Sequence, residues 1–337
     1  MAEPFLHVKE LQKQFTVSKG LFGWGTRKVD AVSGVTLEIS KGETLAVVGE
    51  SGCGKSTVGR CILKLVDRTS GEIYLDGKRI DTLSNWRLGD FRRKVQVVFQ
   101  DPFSSLNPRL RIRDVLAEPM RNFGLYRSHR ERDARIAELL RMVGLPAESA
   151  DRWPHEFSGG QRQRIGIARA LATDPEIVIC DEAVSALDVS VKAQIVNLLR
   201  DLQKRTGVAF LFISHDLAIV ENIAHRVAVM YLGKVVEVAP TKDLIADPRH
   251  PYTEALLSAV PIPDPRRRRS QRIIEGEIPS PANPPKGCRF NTRCPFVFDR
   301  CRREEPALSP ANDGRLLACH LKDLPEAKGS RPTAAAT

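Results

Sequence analysis

Gly49-Glu50-Ser51-Gly52-Cys53-Gly54-Lys55-Ser56-Thr57 is the stretch on which the reading of this chain turns. It follows Glu43-Thr44-Leu45-Ala46-Val47-Val48, an apolar run of strand length, and precedes a periodic segment over residues 58–66 that predicts a helix. Between a strand and a helix, the spacing G-x-x-x-x-G-K-[ST] predicts a phosphate-binding loop. The glycines let successive backbone N–H groups turn inward without a Cβ clash, and a helix starting near Lys55 adds the positive end of its dipole. Lys55 is then placed to reach β- and γ-phosphates, and the Ser56 hydroxyl to sit on magnesium. Cys53 reads as a small filler rather than a nucleophile, because no neighbouring base is visible.

A chain of 337 residues, 42% hydrophobic and 28% charged, has room for one large domain plus an appendage, or for two domains. No run approaches the roughly 18 apolar residues that a membrane helix needs, and residues 1–20 lack a secretory apolar region, so a cytoplasmic location is expected. The formal net charge of +11 favours polyanions, nucleic acid or anionic lipid alike, without choosing between them. The excess is concentrated late: from Pro261 onward there are 15 basic against 9 acidic residues. Of seven cysteines, Cys53, Cys61 and Cys180 lie in or beside apolar segments, whereas Cys288, Cys294, Cys301 and Cys319 cluster in the tail. A disulfide framework is a poor reading without a secretion signal; four clustered thiols in a reducing compartment invite a metal.

Residues 4–48 read as a β-rich opening, interrupted over residues 19–28 by glycines and basic residues that suit an exposed loop. Phe15, in that leading sheet, is either a buried strand aromatic or a ring free to stack on an adenine. Gly71-Glu72-Ile73-Tyr74-Leu75-Asp76-Gly77-Lys78 predicts a short strand closing in an Asp-Gly hairpin. Val95-Gln96-Val97-Val98-Phe99 has the pattern of a strand covered on both faces, and it delivers Gln100 at its carboxyl end, where ligands of open α/β sheets collect. From Ile112 to Gly144 the period changes, and Ile136, Leu139, Leu140 and Val143 stand at helical spacing, so a helical subdomain inserted into an α/β core is expected.

Ser158-Gly159-Gly160-Gln161 precedes a basic helix, and a capping serine followed by two glycines exposes N–H donors at the helix start: a second place for phosphate oxygens. One chain with one nucleotide does not need two such places, which hints that this one serves a neighbour's nucleotide. The apolar strand Ile177-Val178-Ile179-Cys180 ends in Asp181-Glu182. Asp181 suits the magnesium shell through water, and Glu182 suits polarisation of a water for in-line attack on a γ-phosphate. Asp188 stands in a turn entering a helix over residues 191–205, and a further buried strand, residues 208–213, ends at Ser214-His215-Asp216, where His215 can donate to a γ-phosphate or its attacking water. Catalytic candidates are therefore Glu182, His215 and Gln100; Ser56, Gln100 and Asp181 are the magnesium candidates.

The ordered set resembles an ATP-binding cassette (ABC) ATPase: residues 49–57 as Walker A, Gln100 as Q-loop, Phe157-Ser158-Gly159-Gly160-Gln161 as signature, residues 177–182 as Walker B, residues 185–188 as D-loop and His215 as switch histidine. The signature opens with Phe where the family usually has Leu, an apolar residue in either case. The resemblance implies an α/β P-loop NTPase fold over residues 4–260, with an N-terminal antiparallel β region and a helical subdomain over about 101–171. It implies ATP and Mg2+ as ligands, and Phe15 as the ring that stacks on adenine. It further implies a head-to-tail pair in which Lys55 of one subunit and residues 158–161 of the other enclose each ATP.

A closer resemblance is to the ATPase subunits of oligopeptide/dipeptide importers. It rests on residues 100–109, on Ser185-Ala186-Leu187-Asp188-Val189-Ser190-Val191, on His250-Pro251-Tyr252-Thr253 and on the tail from Glu275 through Cys288, Arg293-Cys294-Pro295 and Cys301 to Ala318-Cys319-His320. It implies a cysteine-containing C-terminal extension over residues 261–325 and a disordered end over 326–337. The implied partners are a second ABC ATPase subunit, self or sister, two transmembrane permease subunits and an extracytoplasmic solute-binding protein; no nucleic acid is expected. The implied place is peripheral, on the cytoplasmic face of the inner membrane. Members import peptides, and relatives import nickel or other small solutes; a soluble ABC ATPase acting on nucleic acid or ribosomes is the reading from another class. The spacing C-x5-C-x6-C-x17-C lacks the short C-x2-C of common metal sites and does not name a metal. The resemblance implies a structural [4Fe-4S] cluster on Cys288, Cys294, Cys301 and Cys319. Arg266-Arg267-Arg268-Arg269, between prolines and a serine, reads as an exposed linker.

Overall fold

The computed structural model describes residues 4–18, 26–84, 87–101, 104–259, 276–311 and 314–323. Of the loop expected over residues 19–28, residues 19–25 fall outside them, and residues 26–28 instead open a strand; the expectations for Arg266-Arg267-Arg268-Arg269 and for the end beyond residue 325 also fall outside them. In chain order the elements are β1 (Leu6–Ser18), β2 (Thr26–Ile39), β3 (Thr44–Val48), α1 (Lys55–Ile62), β4 (Ser70–Leu75), β5 (Lys78–Arg79), α2 (Gly89–Lys94) and β6 (Val95–Val98). There follow α3 (Ile112–Asn122), α4 (His129–Met142), α5 (Gly159–Leu171), β7 (Ile177–Asp181), α6 (Val189–Thr206) and β8 (Ala209–Ser214). The chain continues with α7 (Leu217–Ile223), β9 (Arg226–Tyr231), β10 (Lys234–Pro240), α8 (Thr241–Ala246) and α9 (Pro251–Ser258), then α10 (Asp299–Arg303), β11 (Ser309–Pro310) and β12 (Leu316–Leu317). The fold is mixed α/β, with parallel and antiparallel pairing, and the contacts divide it into two compact units.

One unit comprises Met1–His7, Glu38–Leu45 and Ile73–Ser214. Its centre is parallel: β6 pairs with β7 in the register Val98↔Cys180, and β7 with β8 in the register Asp181↔Ile213. All six residues of β8 are buried, and each of its Phe, Leu and Ile side chains contributes about 1.5–3 kcal/mol by leaving water. Such a run suits a parallel strand covered on both faces. β6 is less covered than its sequence predicts: Gln96 and Val97 are half-buried, and Phe99, just past its end, is 41% exposed. The Asp76-Gly77 turn takes positive φ at both residues (50° and 71°), the geometry that matches strand twist, and pairs Leu75 with Lys78. Helix α4 begins where Ser128 accepts a hydrogen bond from the Glu131 N–H, and Ile136, Leu139, Leu140 and Val143 are all buried, as their spacing predicts.

The other unit comprises Val8–Leu37, Ala46–Glu72 and His215–Thr337. Here β9 and β10 run antiparallel, with a bulge between Val235 and Glu237, and β12 extends the pairing through Glu237↔Leu317 and Val238↔Leu316. The cysteine-bearing extension is therefore stitched by main-chain bonds into the same sheet as β9 and β10. A second stitch is aromatic: Phe290, 1% exposed, lies 5.2 Å from Tyr231 and 5.5 Å from Tyr252, ring centre to ring centre.

Candidate active site

The phosphate loop lies in the second unit, between the buried end of β3 and α1. Two glycines are there because nothing else fits. At Gly49 (φ 153°) a Cβ would stand 2.2 Å from the Met230 carbonyl oxygen, and at Gly54 (φ 105°) one would stand 2.2 Å from that of Ala31. Gly54 is also the residue before α1, and no side chain caps the start of that helix. Lys55 is 4% exposed, and its ammonium donates to the carbonyls of Gly49 (2.8 Å) and Glu50 (2.9 Å). The lysine is thus curled back onto its own loop. Cys53 is buried, and burial pushes its thiol up against the opposing pull of Lys55, so it stays protonated and serves as filler.

In the same unit Phe15 is 38% exposed with the Lys13 ammonium 4.8 Å above its ring. Of the two readings of Phe15, the buried strand aromatic does not hold. His215, exposed, is the first residue after β8, and Asp216 caps α7 by accepting from the N–H groups of Ala218 and Ile219.

In the first unit, Gln100, Asp181 and Glu182 occupy the carboxyl edge of the parallel strands. The register Val98↔Cys180 puts Gln100 and Glu182 each two residues beyond a paired position. Glu182 has φ 49°, a left-handed conformation that a glutamate adopts at a cost of order 1–3 kcal/mol. It is held there by its N–H on the Ile213 carbonyl (3.0 Å) and by the Ser185 hydroxyl on its own carbonyl (2.9 Å). The strain is fixed between two strand ends, and no sequence pattern announces it. At α5, Ser158 and Gln161 form a capping box: the Gln161 N–H donates to the serine hydroxyl (3.3 Å) and the Ser158 N–H to the glutamine amide oxygen (3.0 Å). A Cβ on Gly160 would stand 2.6 Å from Val191, so the second glycine lets α6 approach the start of α5. Asp188, exposed, precedes α6, and its neighbour Val189 is 84% exposed.

Two residues of the second unit touch the phosphate loop without having been singled out as site residues. The Tyr252 hydroxyl accepts from the Glu50 N–H (2.8 Å), and Arg293 meets the Glu50 carboxylate with two nitrogens (2.9 and 3.2 Å). Both stand in stretches that carry the importer resemblance, which was the available signal, but residues about 200 apart in sequence give no pattern that pairs them.

The four tail cysteines are buried or half-buried. Burial raises Cys288 to about 11 and Cys294 and Cys319 to about 12; backbone N–H groups of Phe290, Phe296 and Leu321 act the other way. The charges of Cys288, Cys294 and Cys301 all act on Cys319, so the four thiols lie within electrostatic reach of one another. Among the described residues, however, no group of three or more His, Cys, Asp or Glu is disposed to hold a metal ion. No helix among the described residues is long and apolar enough to cross a membrane.

Comparison with known proteins matches residues 32–185 to the "ABC transporter" family and residues 236–301 to "Oligopeptide/dipeptide transporter, C-terminal region". The "Probable peptide ABC transporter ATP-binding protein y4tS" of Sinorhizobium fredii is 53% identical over 100% of this chain and 95% of its own. The "Oligopeptide transport ATP-binding protein AppF" of Bacillus subtilis is 49% identical over 95% of this chain and 98% of its own. Among solved structures, the dimeric post-hydrolysis state of the ATP-binding cassette MJ0796, bound to ADP and Pi, superposes with a TM-score of 0.62 at 31% identity, covering 70% of this chain and 98% of that one.

Proposed function

The chain belongs to the ATP-binding proteins of ABC transporters, and we propose that it hydrolyses ATP to drive peptide import, as one of a pair of ATPase subunits docked on transmembrane permease subunits that are fed by a solute-binding protein. The observation that carries this is identity of about half the residues, over essentially the whole length, to peptide-transport ATP-binding proteins, with an oligopeptide/dipeptide-type C-terminal region included. A peripheral place on the cytoplasmic face of the inner membrane follows from that role. The finer division, a cassette over residues 4–260 with a helical subdomain and an extension over 261–325, belongs to the same proposal.

Residue roles follow from chemistry. Lys55 leaves the carbonyls of Gly49 and Glu50 for the β- and γ-phosphates, and N–H groups of the loop other than that of Glu50, which Tyr252 takes, turn to their oxygens. Ser56, Gln100 and Asp181 each offer a hard oxygen of the kind that Mg2+ takes, and the ion would neutralise charge building on the phosphates. Glu182 takes the proton of the attacking water, His215 donates to the γ-phosphate, and Phe15 stacks on adenine. Residues 158–161 and Asp188 face the nucleotide of the partner subunit, which gives the exposed Val189 a surface to meet. ATP drives the pair closed through its greater affinity for the closed form.

Replacing Glu182 with Gln tests this. The side chain keeps its size and loses its basicity, so steady-state hydrolysis should fall about 10²–10⁴-fold while ATP still binds. Undiminished turnover in a clean preparation removes Glu182 from its role. The reading for Cys288, Cys294, Cys301 and Cys319 is a structural [4Fe-4S] cluster; its support is the resemblance of the tail and the mutual electrostatic influence of the thiols, against which the described residues include no group disposed to hold a metal ion. Anaerobically purified protein should carry iron and acid-labile sulfide and lose both when the four are replaced by Ser; stoichiometric zinc instead would overturn it.

A further inference from the structure

The phosphate loop is held at one residue from outside itself. Glu50 gives its N–H to the Tyr252 hydroxyl (2.8 Å), and its carboxylate takes a two-pronged bond from Arg293 (2.9 and 3.2 Å). The Arg293 side chain is 6% exposed and that of Glu50 24%, so this is not a solvent-screened surface pair. Arg293 is itself braced: one nitrogen lies 3.4 Å from the Tyr231 hydroxyl, and its N–H donates to the Phe290 carbonyl (3.0 Å). Phe290 in turn packs on Tyr231 and Tyr252, and Arg289 donates to the Leu232 carbonyl. A second segment of the extension, Ile278-Pro279-Ser280-Pro281, lines a cavity of about 220 Å³ together with the outer face of the loop at Glu50 and Ser51. The residue so clamped is one of the two whose carbonyls hold Lys55.

We propose that Arg293 and Tyr252 are positioning residues for the phosphate loop: by fixing Glu50 they hold the loop in its anion-receiving shape, so that the C-terminal extension sets the affinity for ATP. This rests on the reading of the loop as an ATP site. The physical argument is preorganisation. A loop fixed before binding loses less freedom on binding, and a bidentate guanidinium–carboxylate pair fixes direction as well as distance. Because coupling is reciprocal, ATP must also steady the extension.

The experiment uses the full-length chain and Mg-ATP. Arg293→Met and Glu50→Gln should each raise the ATP Kd about tenfold in protein that remains folded without nucleotide, within the usual span of coupling between sites. Arg293→Lys keeps the charge but loses the fork, and should restore affinity only in part. The double variant should be no worse than either single one, because both remove one clamp. By reciprocity, Mg-ATP should slow hydrogen exchange of the Arg293 amide in the wild type. Folded single variants that bind ATP like wild type, or losses that multiply in the double variant, overturn the proposal. If Arg293→Met fails to fold, Glu50→Gln and the exchange measurement carry the test from the loop side. Failure of the wild type to bind ATP would instead sink the parent reading.

Discussion

Mild acid should loosen the packing around His250, and the size of the effect follows from that residue's burial. His250 is 1% exposed; its Nδ1 accepts from the Tyr252 N–H (3.1 Å) at the start of α9, and its ring is 5.8 Å from Phe290. Burial lowers the imidazole from its ordinary 6.5 to about 3, opposed weakly by a hydrogen bond to the Ala318 backbone. The folded protein therefore keeps His250 neutral down to about pH 3, whereas the unfolded chain takes up a proton below 6.5. The unfolded state binds more protons in that window, so the contribution is complete above pH 6.5 and is lost as pH falls towards 3. At about 1.4 kcal/mol per pH unit, moving from pH 7 to pH 5 removes about 2 kcal/mol. Glu237, which accepts from the N–H groups of Arg249 and His250 and is acted on by Arg315, is raised by burial and works in the opposite direction. The wild-type curve alone thus mixes the two, and a comparison separates them. His250→Asn keeps an acceptor at the helix start and removes the titrating ring. Guanidinium unfolding at pH 7, 6 and 5 should show the wild type losing about 2 kcal/mol more than the variant. Parallel curves would refute the reasoning.

Two further outcomes can be checked on the same preparations. Gly54→Ala should lower stability by about 1–3 kcal/mol, since its Cβ meets the Ala31 backbone, while Gly52→Ala, with open space around it, should cost less; equal midpoints in denaturant would contradict the loop geometry. Phe15→Ala should weaken ATP binding by about 1–3 kcal/mol through loss of base stacking, and leave stability within about 0.5 kcal/mol. A folded Phe15→Ala protein with unchanged affinity would remove the ring from its role.

The sequence-readable part of this protein is the part written in local patterns. The Asp76-Gly77 hairpin, the Ser158 cap and the buried face of α4 each depend on residues within a few positions of one another, and the structure has them all. Phe15 could not be decided, because a strand aromatic looks the same on either face of a sheet. Phe99 continues an apolar run yet is exposed, because the run outlasts the strand that needed covering. The positive φ of Glu182 follows from two strand ends meeting, and the grip of Arg293 on Glu50 from folding across 243 positions. Neither leaves a periodic trace.

The pairing of β12 with β10 has a consequence for biosynthesis. Until Leu316 and Leu317 arrive, the flank of β10 at Glu237 and Val238 has no strand beside it. At a bacterial-like elongation rate the ribosome needs roughly 4–15 s to travel from the end of β10 to Leu317, and for that interval the nascent polypeptide carries an open sheet border. A premature stop before Leu317 would leave that border open for the lifetime of the product, a template for unwanted strand addition.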